Sequence, residues 1–228
     1  MRRYFFLFIG FKGWGEILKD KVHQYIESLI PDRPEFFMDM EKYALEHHVP
    51  IMESTGIETM LQILRIKSPE KILEVGAAIG YSALRMAVAL PATKIITIER
   101  DEERALLAEK NIHDLNMEKQ VYLLIGDALE IEEQVSTYGP FDVIFIDAAK
   151  GQYKRFFELY SPYLSENGLI ITDNVMFKGL VAEEDIEHKR TAQLVKKIKQ
   201  YNEWLMSHPD YHTVILPVGD GVAISIKR

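Results

Sequence analysis

The sequence predicts an α/β fold: a seven-stranded, mainly parallel sheet with helices on both faces and an antiparallel hairpin at its C-terminal end. Three observations carry this expectation. From Lys71 onward, five short apolar runs alternate with helical patterns. The runs are apolar throughout instead of alternating, as in strands buried on both faces of a parallel sheet. The chain then closes with "HTVILPVGDGVAISIK", two strand-like runs joined by Gly219-Asp220-Gly221, a turn composition.

The elements follow in order. The opening "MRRYFFLFIGFKGWGE" places two arginines before a short apolar run. Gly10 and Lys12 break the run, no small-residue cleavage site follows, and it is too short to span a membrane. It is expected to be an ordered extension, an oligomer contact or the product of a start codon placed upstream, and the protein is expected to be cytoplasmic. "GEILKDKVHQYIESLI" reads as a helix with Ile17, Val22, Tyr25, Ile26 and Leu29 on one face, stopped by Pro31. "RPEFFMDMEKYALEHH" is a second helix, "VPIMESTG" a connector and "IETMLQILRIKS" a third helix, ending near Pro69. Strands then follow at "KILEVG", "KIITIE", "VYLLIGDA", "FDVIFID" and "GLIITDN". The helices between them are "YSALRMAVAL", "DEERALLAEKNIHDLN", one from Leu129 and one through Tyr163; "DIEHKRTAQLVKKIKQYNEWLMSH" is a long helix before the hairpin. One domain over residues 1–228 is expected, with a helical region at 1–68 and the sheet at 69–228.

The totals exclude several chemistries. The 228 residues are 47% hydrophobic, enough for a sizeable core. The chain has no cysteine, so disulfides, thiolate nucleophiles and Cys-based zinc sites are ruled out. The net charge of −8 provides no overall field to attract a polyanion, although a local basic patch could act.

In such a sheet, ligands sit beyond the carboxyl ends of the strands, where strand order reverses. Each of the five strands delivers a polar or glycine-rich group there. The first is followed by "EVGAAIGYS", with Glu74, Gly76, Gly80, Tyr81 and Ser82; the second ends in Glu99, the third is followed by Asp127 and Ala128, the fourth by Asp147, the fifth by Asp173 and Asn174. The glycine spacing is not the G-x-G-x-x-G of dinucleotide sites. Glu99, 23 residues past Gly76, stands where an acid accepts hydrogen bonds from ribose hydroxyls; it could equally cap the helix that begins near Asp101. Asp127 and the Ala128 N–H suit an adenine edge, or a helix cap. If the fourth and fifth strands are neighbours, Asp147 lies beside Asp173 and Asn174. Three oxygen ligands without Cys or clustered His suit a hard cation such as Mg²⁺. Two carboxylates in a dry setting would repel one another, and a divalent cation resolves that. Lys150, opposed by a helix dipole at a helix start, is either a solvated lysine or a general base whose pKa the neighbouring cation lowers.

Together, "EVGAAIGYS", "IER", "GDA", "FIDAAKGQY", "ITDNV" and "PVGDGVAIS" resemble the cation-dependent class I O-methyltransferases, the group of catechol and caffeoyl-CoA O-methyltransferases. The resemblance covers the chain after its first fifteen residues, and the order and spacing of the motifs make it specific. It implies a Rossmann-like fold and S-adenosylmethionine at Glu74, Gly76, Tyr81, Ser82, Glu99, Asp127, Ala128 and Asp147. It implies metal ligands at Asp147, Asp173 and Asn174, and a catalytic pair of Asp147 and Lys150. "VPIM" resembles the family's N-terminal gate, which assigns Met52 to the cofactor. The resemblance also implies a homodimer.

Within the family the chain looks closest to the bacterial branch that includes the tRNA 5-hydroxyuridine methyltransferase. This makes the tRNA anticodon loop the expected partner, with a small phenolic substrate as the alternative and no membrane involved. A basic stretch at His188–Arg190 and Lys196–Lys199 is either a contact for RNA phosphates or a solvated helix face mixed with Glu183, Glu184 and Glu187, and Tyr153 and Phe177 are either base-stacking rings or core aromatics. The segment after Asn174 is compact and lacks the longer insertion of the plant members, which speaks against acyl-CoA substrates. A nicotinamide-dependent oxidoreductase and a non-catalytic RNA-binding module are competing classes; the glycine spacing and the Asp147/Asp173/Asn174 set argue against the first, and the intact metal-ligand set against the second.

Overall fold

The structure, a computed structural model, describes residues 14–228. The expectations for residues 1–13 and for the facing of Ile17 lie outside the described residues. By contacts the chain divides into two compact units, one ending at Arg33 and the other running from Pro34 to Arg228. The first contains α1 (Trp14–Leu29), on which Val22, Tyr25, Ile26 and Leu29 recur at helical spacing.

In the second unit α2 (Glu35–Glu46) starts behind Pro34, and α3 (Ser54–Lys67) stops at Ser68, which takes a left-handed conformation ahead of Pro69. The alternating part follows: β1 (Lys71–Val75), α4 (Tyr81–Ala89), β2 (Lys94–Glu99), α5 (Glu102–Asp114), β3 (Val121–Ile125), α6 (Glu132–Ser136), β4 (Phe141–Ile146), α7 (Tyr153–Tyr160), β5 (Leu164–Thr172), α8 (Lys189–Met206), β6 (Tyr211–Leu216) and β7 (Val222–Lys227). The sheet order is β3-β2-β1-β4-β5-β7-β6. The first five are parallel, and β7 joins β5 and β6 antiparallel. The predicted seven-stranded sheet is therefore present. β1 and β4 are buried nearly throughout because helices cover both faces. One core lies under α2, α3 and α4, with Ile57, Met60, Leu64, Ile72 and Phe145; the other lies under α7 and α8, with Leu73, Ile144, Phe157 and Leu205.

Three element boundaries differ from the sequence expectation. The helix expected from Leu129 begins at Glu132 and has five residues. Asp127 closes a turn first, its carboxylate accepting the Leu129 N–H at 2.9 Å and its carbonyl the Glu130 N–H at 2.8 Å. Lys150 opens a 3₁₀ turn, Lys150–Gln152, that runs directly into α7. The long helix α8 starts at Lys189, leaving the acidic Glu183–Glu187 stretch in a loop that contains only the 3₁₀ turn Leu180–Ala182.

Candidate active site

Strand order reverses between β1 and β4, and a cavity of about 410 Å³ opens there at the C-terminal edge. Gly76, Ser82, Glu99, Asp127, Ala128, Asp147, Lys150 and Asn174 all line it, and Pro50, Ile51 and Met52 close one side. Six chain segments that are remote in sequence therefore converge on one volume.

Gly76 fixes how closely two of them approach. Its φ is +106°, and a Cβ there would stand 2.1 Å from the Asp147 carbonyl oxygen. Only glycine lets the β1 end lie against the β4 end. Glu99 is held within the loops: one carboxylate oxygen accepts from Ala78 N–H at 2.8 Å, the other from Arg100 and Asp101 N–H at 2.9 Å each. A carboxylate has about four acceptor positions, so one remains for a ligand hydroxyl. The α5 cap is Asp101 itself, which accepts the Arg104 N–H at 3.1 Å; capping does not need the Glu99 side chain. Asp127 uses one oxygen on its own turn and faces the Arg100 guanidinium at 3.6 Å with the other.

Two expected cofactor contacts stand differently. Glu74 lies one layer behind the cavity wall, fully buried, and accepts hydrogen bonds from Ser82 at 2.5 Å and from Thr97. Burial pushes its carboxyl up to about 7, against the lowering effect of those two hydroxyls. It reaches the cavity through Ser82, because its strand position faces the sheet neighbour Thr97. Tyr81 borders the cavity, but its hydroxyl is committed: it donates to Glu41 at 2.5 Å and accepts from Arg85 at 2.7 Å.

On the other side, β4 and β5 are parallel neighbours, with Ile146 opposite Thr172 and the Asp173 N–H donating to the Ile146 carbonyl at 3.1 Å. That register brings Asp147 beside Asp173 and Asn174, as the sequence reading required. Desolvation raises the Asp147 carboxyl to about 6, although Lys150 opposes the shift. Asp173 is 2% exposed and is driven well above the usual carboxylate range by burial and then by Asp147. Asn174 donates to Asp173 at 3.0 Å and accepts from the Lys150 ammonium. Burial lowers the pKa of Lys150, with Asp147, Asp173 and Asp220 pulling the other way. Among the described residues, no three His, Cys, Asp or Glu side chains gather as a metal site; this set has two carboxylates and one amide oxygen. Its fit to a hard cation rests on the donor chemistry and on two buried carboxylates, of which Asp147 raises the pKa of Asp173.

The O-methyltransferase family model matches residues 28–228. The chain belongs to the O-methyltransferase family. It is 34% identical over 220 residues to a catechol O-methyltransferase of Niastella koreensis, covering 92% of this chain and 97% of that one. A Staphylococcus aureus protein of solved structure is 37% identical, with a TM-score of 0.82 over 94% of this chain and 99% of that one. An O-methyltransferase from Bacillus cereus, solved in complex with SAH, is 25% identical with a TM-score of 0.77, covering 91% and 97% of the two chains.

In this O-methyltransferase the sequence reading missed Arg100, Gln152 and Leu194, all of which line the cavity. Arg100 could have been found from "IER", where a cation directly follows the ribose-type acid. Leu194 carries no sequence signal, because its place depends on how α8 packs against the Lys150 turn. Tyr153, open between a base-stacking ring and a core aromatic, is a core residue. It is 1% exposed, donates to the Asp173 carbonyl at 2.9 Å and packs on Tyr201 with ring centroids 5.4 Å apart. Phe177 remains near the chemistry, its ring centroid 5.8 Å from the Lys150 nitrogen. Among the described residues no helix is long and apolar enough to cross a membrane.

Proposed function

We propose that this O-methyltransferase transfers the methyl group of S-adenosylmethionine to a hydroxyl that has a second oxygen beside it, with a divalent cation, Mg²⁺, held by Asp147, Asp173 and Asn174. The juxtaposition of Asp147, Asn174 and Lys150 in the wall of a cavity that Glu99 and Asp127 also line, with Asp173 buried and hydrogen-bonded to Asn174, carries this reading. The Bacillus cereus relative's complex with SAH supports the cofactor. S-adenosylmethionine supplies an electrophilic sulfonium methyl, and the cation, when bound, orients two acceptor oxygens and acidifies one of them.

The protein's own residues do the rest. Glu99 accepts hydrogen bonds from the ribose, with its spare acceptor position. The Asp127–Ala128 turn meets the adenine, and Met52, 4% exposed, closes the cofactor side. Lys150 is the general base: desolvation favours its neutral form, and it takes the proton that the hydroxyl oxygen releases as that oxygen bonds to the methyl carbon. The sulfonium charge disappears as the thioether leaves, so a site with little water favours the transition state.

The proposed acceptor is the 5-hydroxyl of 5-hydroxyuridine at the tRNA wobble position, whose 4-carbonyl provides the adjacent oxygen. The resemblance to the tRNA-modifying branch supports it, as do exposed cations on and before α8, which alternate there with exposed Glu183, Glu184 and Glu187. Lys197 lies within 3.5 Å of where a Gly151 Cβ would stand, next to Lys150 and to the cavity residue Leu194. Lys178, Lys189, Arg190 and Lys196 are exposed, and such cations suit phosphates. Lys199 instead donates to the Glu183 carbonyl at 3.0 Å. The second reading is a small catechol-like phenol, favoured by the Niastella koreensis relative. Labelled S-adenosylmethionine, offered with Mg²⁺ or EDTA to tRNA bearing 5-hydroxyuridine and to catechol in parallel, tests both. EDTA-sensitive labelling of the tRNA is the expected result. Labelling of catechol alone would replace the acceptor and keep the chemistry, and EDTA-insensitive labelling would remove the cation. A homodimer is part of the same proposal, from the resemblance.

A further inference from the structure

The Gly219-Asp220-Gly221 turn between β6 and β7 has no part in the chemistry above, yet it packs against the segments that follow Asn174 and Met52, both of which line the cavity. Towards β5, the Val175 N–H donates to the Gly221 carbonyl at 3.0 Å and the Met176 N–H to the Asp220 carbonyl at 2.9 Å. The Asp220 carboxylate also accepts the Lys178 N–H. Towards α3, Gly219 has a φ of +53°, and a Cβ there would stand 3.3 Å from the Gly56 Cα. A Cβ on Gly56 would in turn stand 3.3 Å from the Met52 methyl. The turn therefore borders the cofactor gate on one side and the segment of candidate metal ligands on the other.

That segment needs outside support. Asn174, Phe177 and Lys178 take φ values of +56°, +45° and +56°. L side chains disfavour this region, and such residues persist only where surrounding contacts over-determine them. They also carry consequence: Asn174 provides the amide oxygen of the candidate metal set, and the Phe177 ring stands over Lys150.

We infer that Asp220 is a positioning residue for methyl transfer: its carboxylate, by accepting the Lys178 N–H, fixes the far end of a segment whose Asn174, Phe177 and Lys178 are left-handed, and so keeps the Asn174 amide oxygen and the Phe177 ring in place beside Lys150. The inference rests on the reading that Asp147, Asp173 and Asn174 hold a cation. Asp220 also faces Asp147, Asp173 and Lys150 electrostatically, so its charge and its hydrogen bond need separating. Asparagine keeps the acceptor oxygen and removes the charge; alanine removes both.

The test is calorimetric binding of Mn²⁺ to the unmodified chain, Asp220→Asn and Asp220→Ala, with S-adenosylhomocysteine affinity measured on each and KM and kcat determined with catechol. Removing a group that orients a metal ligand typically weakens metal binding by about ten- to a hundred-fold. Asp220→Ala is expected to weaken Mn²⁺ binding by about tenfold or more and to raise the catechol KM. Asp220→Asn is expected to stay within about threefold of the unmodified chain. S-adenosylhomocysteine affinity is expected to be unchanged in all three. Equal losses in the two variants would assign the effect to charge and overturn the inference, as would no loss in either. Loss of S-adenosylhomocysteine binding in Asp220→Ala would show a general structural part and also overturn it. An unmodified chain that takes up no Mn²⁺ would overturn the cation reading and the inference together, whereas uptake by all three chains alike overturns the inference alone.

Discussion

Lys150, half-buried, and Glu74, fully buried, show how one edge of a sheet shifts two ionisable groups by desolvation. Lys150 is surrounded by acids, yet desolvation is the largest influence on it and lowers its pKa. Neutral lysine is a base; protonated lysine is not. Lys150→Met is therefore expected to cost about 10²- to 10⁴-fold in kcat at neutral pH. The deficit should narrow as pH rises, because the acceptor hydroxyl then ionises without help. A deficit constant across a pH–rate profile would mean that Lys150 only positions the acceptor. Glu74 has the opposite protonation preference: its carboxyl rises from 4.5 to about 7 on folding. The folded state then holds a proton that the unfolded chain has released. Its contribution to stability is present below about pH 4.5 and is lost as pH rises through about 7. That shift bounds the effect at about 3 kcal/mol. Glu74→Gln is expected to flatten the dependence of unfolding free energy on pH between 5 and 8, measured by urea titration. Parallel curves for the two proteins would contradict the assignment.

At the scale of elements, the site depends on strand ends meeting and on short turns that end in acids. Gly76 is the tightest of these junctions, with the Asp147 carbonyl where its Cβ would be. Gly76→Ala must move β1 against β4 or relax a φ of +106°. A cost of about 3 kcal/mol or more is expected, together with loss of S-adenosylhomocysteine binding. A variant with unchanged urea midpoint and unchanged affinity would show that the junction has slack. The elements also explain what the sequence reveals and what it hides. The five parallel strands were legible because each is a short apolar run ending in a polar group, and the hairpin because of Gly219-Asp220-Gly221. The position of Asp147 beside Asp173 followed from one assumption, that β4 and β5 pair, and they do. The start of α6 was not legible, because an Asp that caps a helix and an Asp that closes a turn before it leave the same residue in the same place. Tyr153 was open between a base-stacking ring and a core aromatic, since sequence alone does not separate the two, and its ring packs in the core against Tyr201.

At the scale of the molecule, the sheet divides labour across its point of reversal. In the proposed reading, the β1, β2 and β3 ends present glycine, Glu99 and Asp127 to the nucleoside, while the β4 and β5 ends present oxygens and an amine to the reaction. The β6–β7 hairpin, outside the parallel part, reaches back over β5 to support that second half. The acceptor was the least legible feature, since the proposed two-oxygen chelate is common to a catechol and to 5-hydroxyuracil, and the cavity wall at Leu194 depends on how α8 packs and not on a motif. The central claim is that the β4–β5 edge of this O-methyltransferase is a cation site. The most direct test is anomalous diffraction from crystals grown with S-adenosylhomocysteine and soaked in Mn²⁺. One peak is expected, with oxygens of Asp147, Asp173 and Asn174 at about 2.0–2.4 Å from it. A map with no peak there, and with Lys150 still bound to Asn174, would contradict the account.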